Sequence, residues 1–133
     1  MKPTDKPSSI ANTEQKKFKL DFNVPNVTLD GVEVEEISSS FKGRYEDLTP
    51  SDYTKSMLNK ILARSIANSN EDLDGREFEW YSVLYTKGVL ELDEVGTRKL
   101  KQYITNKRKG DGAFSNIIVK QLYDVFKRAN FTE

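Results

Sequence analysis

Residues 78–93 read FEWYSVLYTKGVLELD, and this stretch predicts a helix that ends abruptly and passes into the next element. Four apolar side chains recur at spacings of three, three and one, which is the pattern of one helical face. They are Phe78, Tyr81, Leu84 and Tyr85. We expect the helix to begin near Asp74 and to end at Gly88, because glycine is favoured just past a helix end. The aromatic face is expected to pack mainly against the core.

The chain after Gly88 predicts a short extended segment over residues 89–92, followed by a third helix. Asp93 is placed to cap that helix, since an Asp side chain accepts hydrogen bonds from the free backbone N–H groups of a first turn. The predicted helix covers residues 94–106, and its inward side chains are Leu100, Tyr103 and Ile104. Ser115 is placed to cap a fourth helix that runs to about Arg128 and carries the inward side chains Ile118, Leu122, Val125 and Phe126.

Upstream of these helices, short stretches of alternating apolar and polar residues predict a β-hairpin. Asp30-Gly31 is a strong signal for a two-residue turn, so residues 26–29 are predicted to pair with residues 32–35. Residues 17–23 also alternate and are a candidate third strand, which Pro25 ends. Because a hairpin alone is marginally stable in water, we expect its apolar face to lie on the helices.

A first helix is predicted over residues 49–67. Thr49 suits the N-cap, Pro50 suits the first helical position, and Asp52 lies three residues after the cap, as in a capping box. The stripe expected to face the core consists of Tyr53, Met57, Leu58, Ile61, Leu62 and Ile66.

These patterns predict an α+β fold that is mainly helical, with an N-terminal β-hairpin followed by about four short α-helices. Residues 1–17 are polar and contain two prolines, so we interpret them as a flexible N-terminal arm. Residues 18–133 are predicted to form a single globular domain. The chain shows neither a signal peptide nor an apolar run long enough to span a bilayer, which predicts a cytoplasmic protein with no membrane partner.

The sequence contains no cysteine and no histidine. This composition excludes disulfides, thiolate nucleophiles, histidine-based catalytic triads and cysteine zinc sites. Residues 70–75 resemble the first half of a calcium-binding EF-hand loop, but its twelfth position, which should be a bidentate Glu, is Tyr81. We therefore predict a protein that is not an enzyme and that needs no metal or cofactor.

The net charge is zero, yet the charges are unevenly distributed along the chain. Residues 30–95 contain 15 acidic and 7 basic residues, whereas residues 96–133 contain 9 basic and 3 acidic residues. Lys and Arg side chains contact nucleic-acid phosphates, so the basic end supplies the candidate nucleic-acid-binding residues. These are Arg98, Lys99, Lys101, Lys107, Arg108 and Lys109. The alternative interpretation is a solvated helix face and loop tip.

Trp80 lies beside the predicted aromatic face and is the candidate partner-binding residue, because a partly exposed Trp often anchors a protein interface. The alternatives are that Trp80 belongs to the core, or that the aromatic face stacks nucleic-acid bases. Base stacking is disfavoured by the acidic neighbours Glu77 and Glu79, since stacking sites are usually bordered by basic residues.

Four segments carry a pattern that resembles a group of small phage-encoded proteins of unknown function. The first segment matches at Leu58, Lys60, Leu62, Ala63, Ile66 and Ala67. The second, of the type W-x-x-x-L-Y-x-G-x-x-x-L-D, matches at Trp80, Leu84, Tyr85, Gly88, Leu92 and Asp93, with one additional residue between Tyr85 and Gly88 in this chain. The others match at Leu100, Lys101 and Ile104, and at Lys120, Gln121, Leu122, Val125 and Phe126. The polar start and the basic loop at Lys107 are departures from the pattern.

The resemblance spans about residues 18–130 and implies a phage or prophage origin, with no activity and no catalytic residue to carry over. We predict a small accessory protein that acts by protein–protein interaction, in host-factor modulation or virion assembly, in the bacterial host cytoplasm or in the virion. The alternative is a nucleic-acid-binding accessory protein that uses the basic C-terminal part. An enzyme that uses carboxylates or a hard metal is a third hypothesis without a supporting signature.

Overall fold

The structure is a computed structural model, and it describes residues 16–69, 75–107 and 114–132. Within these residues the helices are Leu58–Ala67 (α1), Glu77–Thr86 (α2), Glu94–Asn106 (α3) and Asn116–Arg128 (α4). The strands are Lys17–Asp21 (β1), Glu35–Ile37 (β2), Tyr53–Lys55 (β3) and Val89–Asp93 (β4). The predicted α+β fold with short helices is confirmed. Most of the predicted N-terminal arm, residues 1–15, lies outside the described residues.

The strands β1 and β4 form an antiparallel pair that covers one side of the core. Phe18 lies opposite Leu92 and Leu20 lies opposite Leu90, and all four side chains are buried on one face of the pair. The candidate strand at residues 17–23 therefore forms, but its partner is β4 and not the predicted hairpin. Alternation in a sequence specifies which face of a strand is apolar, and it does not specify which other strand supplies the hydrogen bonds.

The predicted boundaries of α3 and α4 are confirmed because local capping signals fix them. The Asp93 carboxylate accepts a hydrogen bond from the backbone N–H of Gly96 at 2.8 Å, and the Ser115 hydroxyl accepts one from Ile118 at 3.4 Å. The predicted inward residues of both helices lie in the core, except that Ile118 is only partly buried. The core residues from these two helices are Leu100, Tyr103, Ile104, Val119, Leu122, Val125 and Phe126.

Helix α2 ends before Gly88 as predicted, but the side of the helix that faces the core is not the predicted one. Gly88 has a φ of +78°, a left-handed conformation that favours glycine. Trp80 and Leu84 are buried, whereas Phe78 is 70% and Tyr85 is 46% exposed. The expectation that Phe78 and Tyr85 pack inward is wrong, because α2 carries apolar residues around most of its circumference and only one side meets the core. The helix begins at Glu77, and the predicted start at Asp74 lies outside the described residues.

The first helix begins eight residues later than the sequence predicts, at Leu58 and not at Pro50. The Asp52 carboxylate does accept a hydrogen bond from the backbone N–H of Thr49 at 2.9 Å, but the motif supports only a single 3-10 turn over Pro50–Asp52. Residues Tyr53–Lys55 then become extended as β3, because aromatic and β-branched residues favour a strand and β2 is available as a partner. Tyr53 is exposed as a result.

The chain does turn at Asp30-Gly31, but the pairing is shifted by one residue from the predicted register, so that three residues and not two form the loop between Thr28 and Val32. Gly31 has a φ of +81°, the backbone N–H of Thr28 donates to the carbonyl oxygen of Val32 at 2.8 Å, and Val27 pairs with Glu33. The expectation that its apolar face lies on the helices is wrong at the tip, where Leu29 is 92% and Val32 is 62% exposed. The hairpin extends beyond the helices, so its tip has no core to pack against.

Candidate functional site

Trp80 is a core residue. Its side chain is only 1% exposed, and it lies in the same buried cluster as Leu84 and Leu62. The predicted role of Trp80 as a partner-binding anchor at the surface is therefore corrected, because a partner protein cannot reach a side chain that the fold already encloses.

The described residues of the predicted nucleic-acid-binding set lie on α3 and just past its end. Arg98 forms an ion pair with Glu94 at 2.5 Å, and the ammonium group of Lys101 lies 5.4 Å from the ring centre of Tyr123. Successive residues of a helix are about 100° apart, so Lys99 points to a different side from Arg98. Lys107 lies 6.0 Å from the ring centre of Tyr103. Arg108 and Lys109 lie outside the described residues.

The described residues show neither a metal-binding group nor a membrane-spanning helix. They contain no group of three or more acidic side chains arranged to hold a metal ion, and most of the EF-hand-like segment, residues 70–74, lies outside them. No helix among residues 16–69, 75–107 and 114–132 has the length and apolar character needed to cross a membrane.

The distinctive feature of the surface is residues 23–55, which we call the outer segment. No residue of this segment is buried, although residues on either side of it, Phe22 and Ser56, are. Of the eight large hydrophobic side chains exposed in the described part of the chain, five belong to the outer segment. They are Leu29, Val32, Ile37, Tyr45 and Tyr53. Val24, at the start of the segment, is partly buried against the core. The rest of the segment presents its large apolar side chains mainly to the solvent.

A closed ring of three backbone hydrogen bonds holds the base of the outer segment together. The N–H of Asn26 donates to Ser56, the N–H of Ser56 donates to Val34, and the N–H of Val34 donates to Asn26, at 2.8, 2.8 and 2.9 Å. Three extended stretches of the chain therefore meet at one point. The main chain is ordered there by hydrogen bonds and not by burial of apolar side chains.

Two side-chain contacts join the base of the outer segment to the helices. Gln121 of α4 accepts a hydrogen bond from the N–H of Val27 at 2.9 Å and donates to its carbonyl oxygen at 3.2 Å. Arg64 of α1 forms an ion pair with Glu36 of β2 at 3.0 Å. These contacts fix the orientation of the outer segment relative to the core while leaving its far side open.

The far side carries a surface of apolar side chains that we call the outer face, formed by Ile37, Phe41, Tyr45 and Tyr53. Ile37 and Tyr53 are directly opposite each other in the pairing of β2 with β3, so their side chains lie on the same side of the two strands. Ile37, Phe41 and Tyr45 line one shallow depression of about 560 Å³, together with Gly43, Arg44 and Glu46. Apolar side chains at such a depression are typical of a surface that another molecule covers.

A second apolar surface is the groove between α1 and α2. Small side chains of α1, Ala63 and Ala67, lie opposite the aromatic side chains of Tyr81 and Tyr85 on α2, and the space left between them is about 360 Å³. Arg64 lies at the edge of this groove, which we call the helix groove. The sequence signal for it was present in the aromatic pattern of α2, but that pattern was assigned to the core.

Neither the outer face nor the helix groove was identified from the sequence. The residues of the outer face are separated by polar stretches, and only the folding of the 3-10 turns and of β2 and β3 brings them together. Comparison with known proteins adds no further indication, since no protein-family model, curated protein or solved structure matches this chain.

Proposed function

We propose that this protein is a small, non-catalytic accessory protein that acts by binding another protein through its outer face. The observation that carries the proposal is that the ordered outer segment exposes Ile37, Tyr45 and Tyr53 and buries none of its residues. Ordering a chain costs roughly 1–2 kcal/mol per residue in backbone entropy, and burial of apolar side chains is the usual compensation. A partner that covers the outer face would supply this missing burial.

The composition of the outer face fits a protein partner. Tyrosine is enriched among the residues that dominate binding energy at protein interfaces, because it buries a large apolar ring and keeps a hydroxyl for hydrogen bonding. Each square ångström of apolar surface that a partner removes from water contributes a favourable free energy of roughly 25 cal/mol. The absence of histidine and cysteine from the sequence supports a role that is not catalytic.

The resemblance to small phage-encoded proteins supplies the biological setting of the proposal. In that setting the partner is a host protein whose activity is modulated in the bacterial cytoplasm, or a phage protein met during virion assembly. Both require only a stable binding surface, which is the feature that the outer face provides.

The test is affinity capture from a bacterial lysate with the tagged full chain. The comparison is between the unaltered protein, an Ile37→Ser/Tyr45→Ser variant of the outer face, and a Val95→Ser control. Val95 is a suitable control because it is an exposed hydrophobic residue on α3. We expect a discrete protein that is retained by the unaltered chain and by the control, lost with the double variant, and insensitive to nuclease. Equal capture by all three proteins would contradict the proposal.

Nucleic-acid binding by the basic C-terminal part is the alternative function. The same experiment with nuclease and at two salt concentrations distinguishes the two, because binding to phosphates weakens steeply as salt increases. Captured material that is lost with nuclease, and retained by the outer-face variant, would favour the alternative and direct attention to Arg98, Lys99, Lys101 and Lys107.

A further inference from the structure

We propose that the hairpin tip of one copy of this chain docks into the helix groove of a second copy. The hairpin tip is defined as residues 29–32, and the helix groove is the space bounded by Ala63, Ala67, Tyr81 and Tyr85. This contact is separate from the outer face, so the inference goes beyond the proposed function and does not depend on it.

The hairpin tip has the form of an apolar projection with a fixed shape. Leu29 is 92% and Val32 is 62% exposed, so neither side chain fills the groove of its own chain. The turn between them is closed by a hydrogen bond from the N–H of Gly31 to the carbonyl oxygen of Thr28 at 2.9 Å. The Thr28 hydroxyl also accepts a hydrogen bond from the N–H of Val32 at 3.2 Å. A projection ordered in this way loses little conformational freedom when it docks.

The helix groove has the complementary shape and polarity. Ala63, Ala67 and Arg64 form its α1 side, and Tyr81 and Tyr85 form its α2 side together with Ser82 and Thr86. The alanines and the tyrosine rings make most of the lining apolar. The ring of Phe78, which is 70% exposed, contacts the ring of Tyr81 at a centroid distance of 5.3 Å and extends the apolar surface along α2. An aliphatic side chain such as Leu29 can enter the groove and remove apolar surface of both copies from water.

The charges of the hairpin tip and of the residues beside the helix groove favour a second copy of the chain as the molecule that occupies the groove. Residues 21–41 contain five acidic residues and no basic residue. Glu33 and Glu36 are paired with Lys55 and Arg64 of the same chain, whereas Asp30 is part of the tip itself. The residues of α1, in contrast, include Lys60 and Arg64 and no acidic residue. Lys60 lies beside the groove, with its ammonium group 5.4 Å from the ring centre of Tyr85. The α2 side of the groove carries Glu77 and Glu79 in its first turn, so the positive charge lies at the end of the groove where Lys60 meets Tyr85. Asp30 of the acidic tip is expected to meet Lys60 at that end.

A contact of the same kind already exists within one chain. Glu36 of the outer segment forms an ion pair with Arg64 of α1 at 3.0 Å, which shows that acidic residues of this segment and basic residues of α1 are compatible neighbours. In the docked pair, Arg64 keeps Glu36 as its partner, and Lys60 is the cation that receives Asp30 of the other copy. The tip and the groove are different surfaces, so each copy of the chain has one tip and one groove available for docking.

The test is the association state of the full chain by sedimentation over a range of concentrations. Leu29→Asp removes the projection, Tyr85→Glu removes one wall of the groove and opposes the acidic tip, and Val95→Asp is the control for an added charge at an exposed hydrophobic position. We expect the unaltered chain and the control to associate, and each of the other variants to associate at least tenfold more weakly. Melting curves and circular dichroism verify that the variants are folded.

Mixing the two weakened variants is the decisive measurement. The Leu29→Asp copy retains an intact groove and the Tyr85→Glu copy retains an intact tip, so an equimolar mixture is expected to form a two-chain complex at concentrations where each variant alone is monomeric. A mixture that stays monomeric, or an unaltered chain that stays monomeric at every concentration, would overturn the inference. Capture of a lysate protein that Tyr85→Glu abolishes, from a monomeric chain, would assign the groove to a different protein. None of these results affects the outer face, whose variants are separate.

Discussion

The side-chain amide of Gln121 pairs with the backbone of Val27 in both directions, like one residue of a neighbouring strand. Its oxygen accepts from the N–H at 2.9 Å, and its nitrogen donates to the carbonyl oxygen at 3.2 Å. The nitrogen also donates to the side-chain oxygen of Asn26 at 3.0 Å. One mostly buried side chain on α4 thus satisfies main-chain groups of the outer segment more than ninety positions earlier in the sequence.

Gln121→Ala is expected to lower the free energy of unfolding by about 1–3 kcal/mol, because it leaves polar groups of Val27 without their partner. Urea denaturation measures the change, and hydrogen exchange should be faster at the N–H of Val27. Lys127→Ala, at an exposed position of the same helix, is the control and should be nearly neutral. Equal effects of the two substitutions would show that Gln121 does not anchor the segment.

The two aromatic residues near the start of α2 are expected to differ sharply in their contribution to stability. Trp80→Ala should destabilise the fold by about 3–5 kcal/mol, because it removes a fully buried ring from the core. Phe78→Ala should change the free energy of unfolding by less than about 0.5 kcal/mol, because its ring is 70% exposed. Thermal unfolding of both variants checks the assignment, and similar melting temperatures would contradict the orientation of α2.

Gly88→Ala is expected to cost more than Gly31→Ala, although both glycines have a positive φ. The positive φ alone costs an alanine about 1–2 kcal/mol. At Gly88 a Cβ atom would also overlap the side chain of Asn23, whose amide donates to the carbonyl oxygen of Lys87 at 2.8 Å, whereas nothing lies near a Cβ atom at Gly31. Chemical denaturation of both variants gives the difference, which should vanish if Asn23 can move away freely.

Asp93 both caps α3 and lies 3.8 Å from Arg76, and the two contacts can be separated by mutation. Asp93→Ala should cost about 1 kcal/mol through loss of the cap. Arg76→Gln should cost less than about 0.5 kcal/mol, because the ion pair is long and solvent-exposed. Measurement at low and high salt provides the control, since only the ion-pair contribution should decrease. A large effect of Arg76→Gln would assign the stability to the ion pair.

Features of the fold that depend on neighbouring residues were predictable. Asp93 and Ser115 as helix caps, Gly88 as a helix end and Asp30-Gly31 as a turn are local signals, and the structure has each of them in place. The hydrogen bonds and backbone conformations that form a cap or a turn involve residues only a few positions apart, so these features can be predicted from the local sequence.

Features that depend on distant parts of the chain were not predictable in the same way. The partner of β1 is β4, which no local pattern identifies. The side of α2 that faces the core depends on the position of α1, so Trp80 and Phe78 were assigned in reverse. The late start of α1 has the same cause, because β2 competes for Tyr53–Lys55 and takes them out of the helix.

The candidate site was beyond prediction for a related reason. Apolar side chains such as Tyr45 and Tyr53 normally indicate burial, and the sequence offers no means of knowing that the outer segment lies outside the core. The charge pattern was visible, with acidic residues before Val95 and basic residues after it. It did not show that the basic residues of α1 lie beside an apolar groove.

The ring formed by Asn26, Val34 and Ser56 uses main-chain atoms alone. Any residue except proline carries the N–H and carbonyl groups that such a ring requires, so the three hydrogen bonds can form with many different side chains at these positions. The exposed side chains of the outer segment can therefore be exchanged without rebuilding the way in which the segment is held. The main-chain support of the segment and the surface that it presents are separable by mutation.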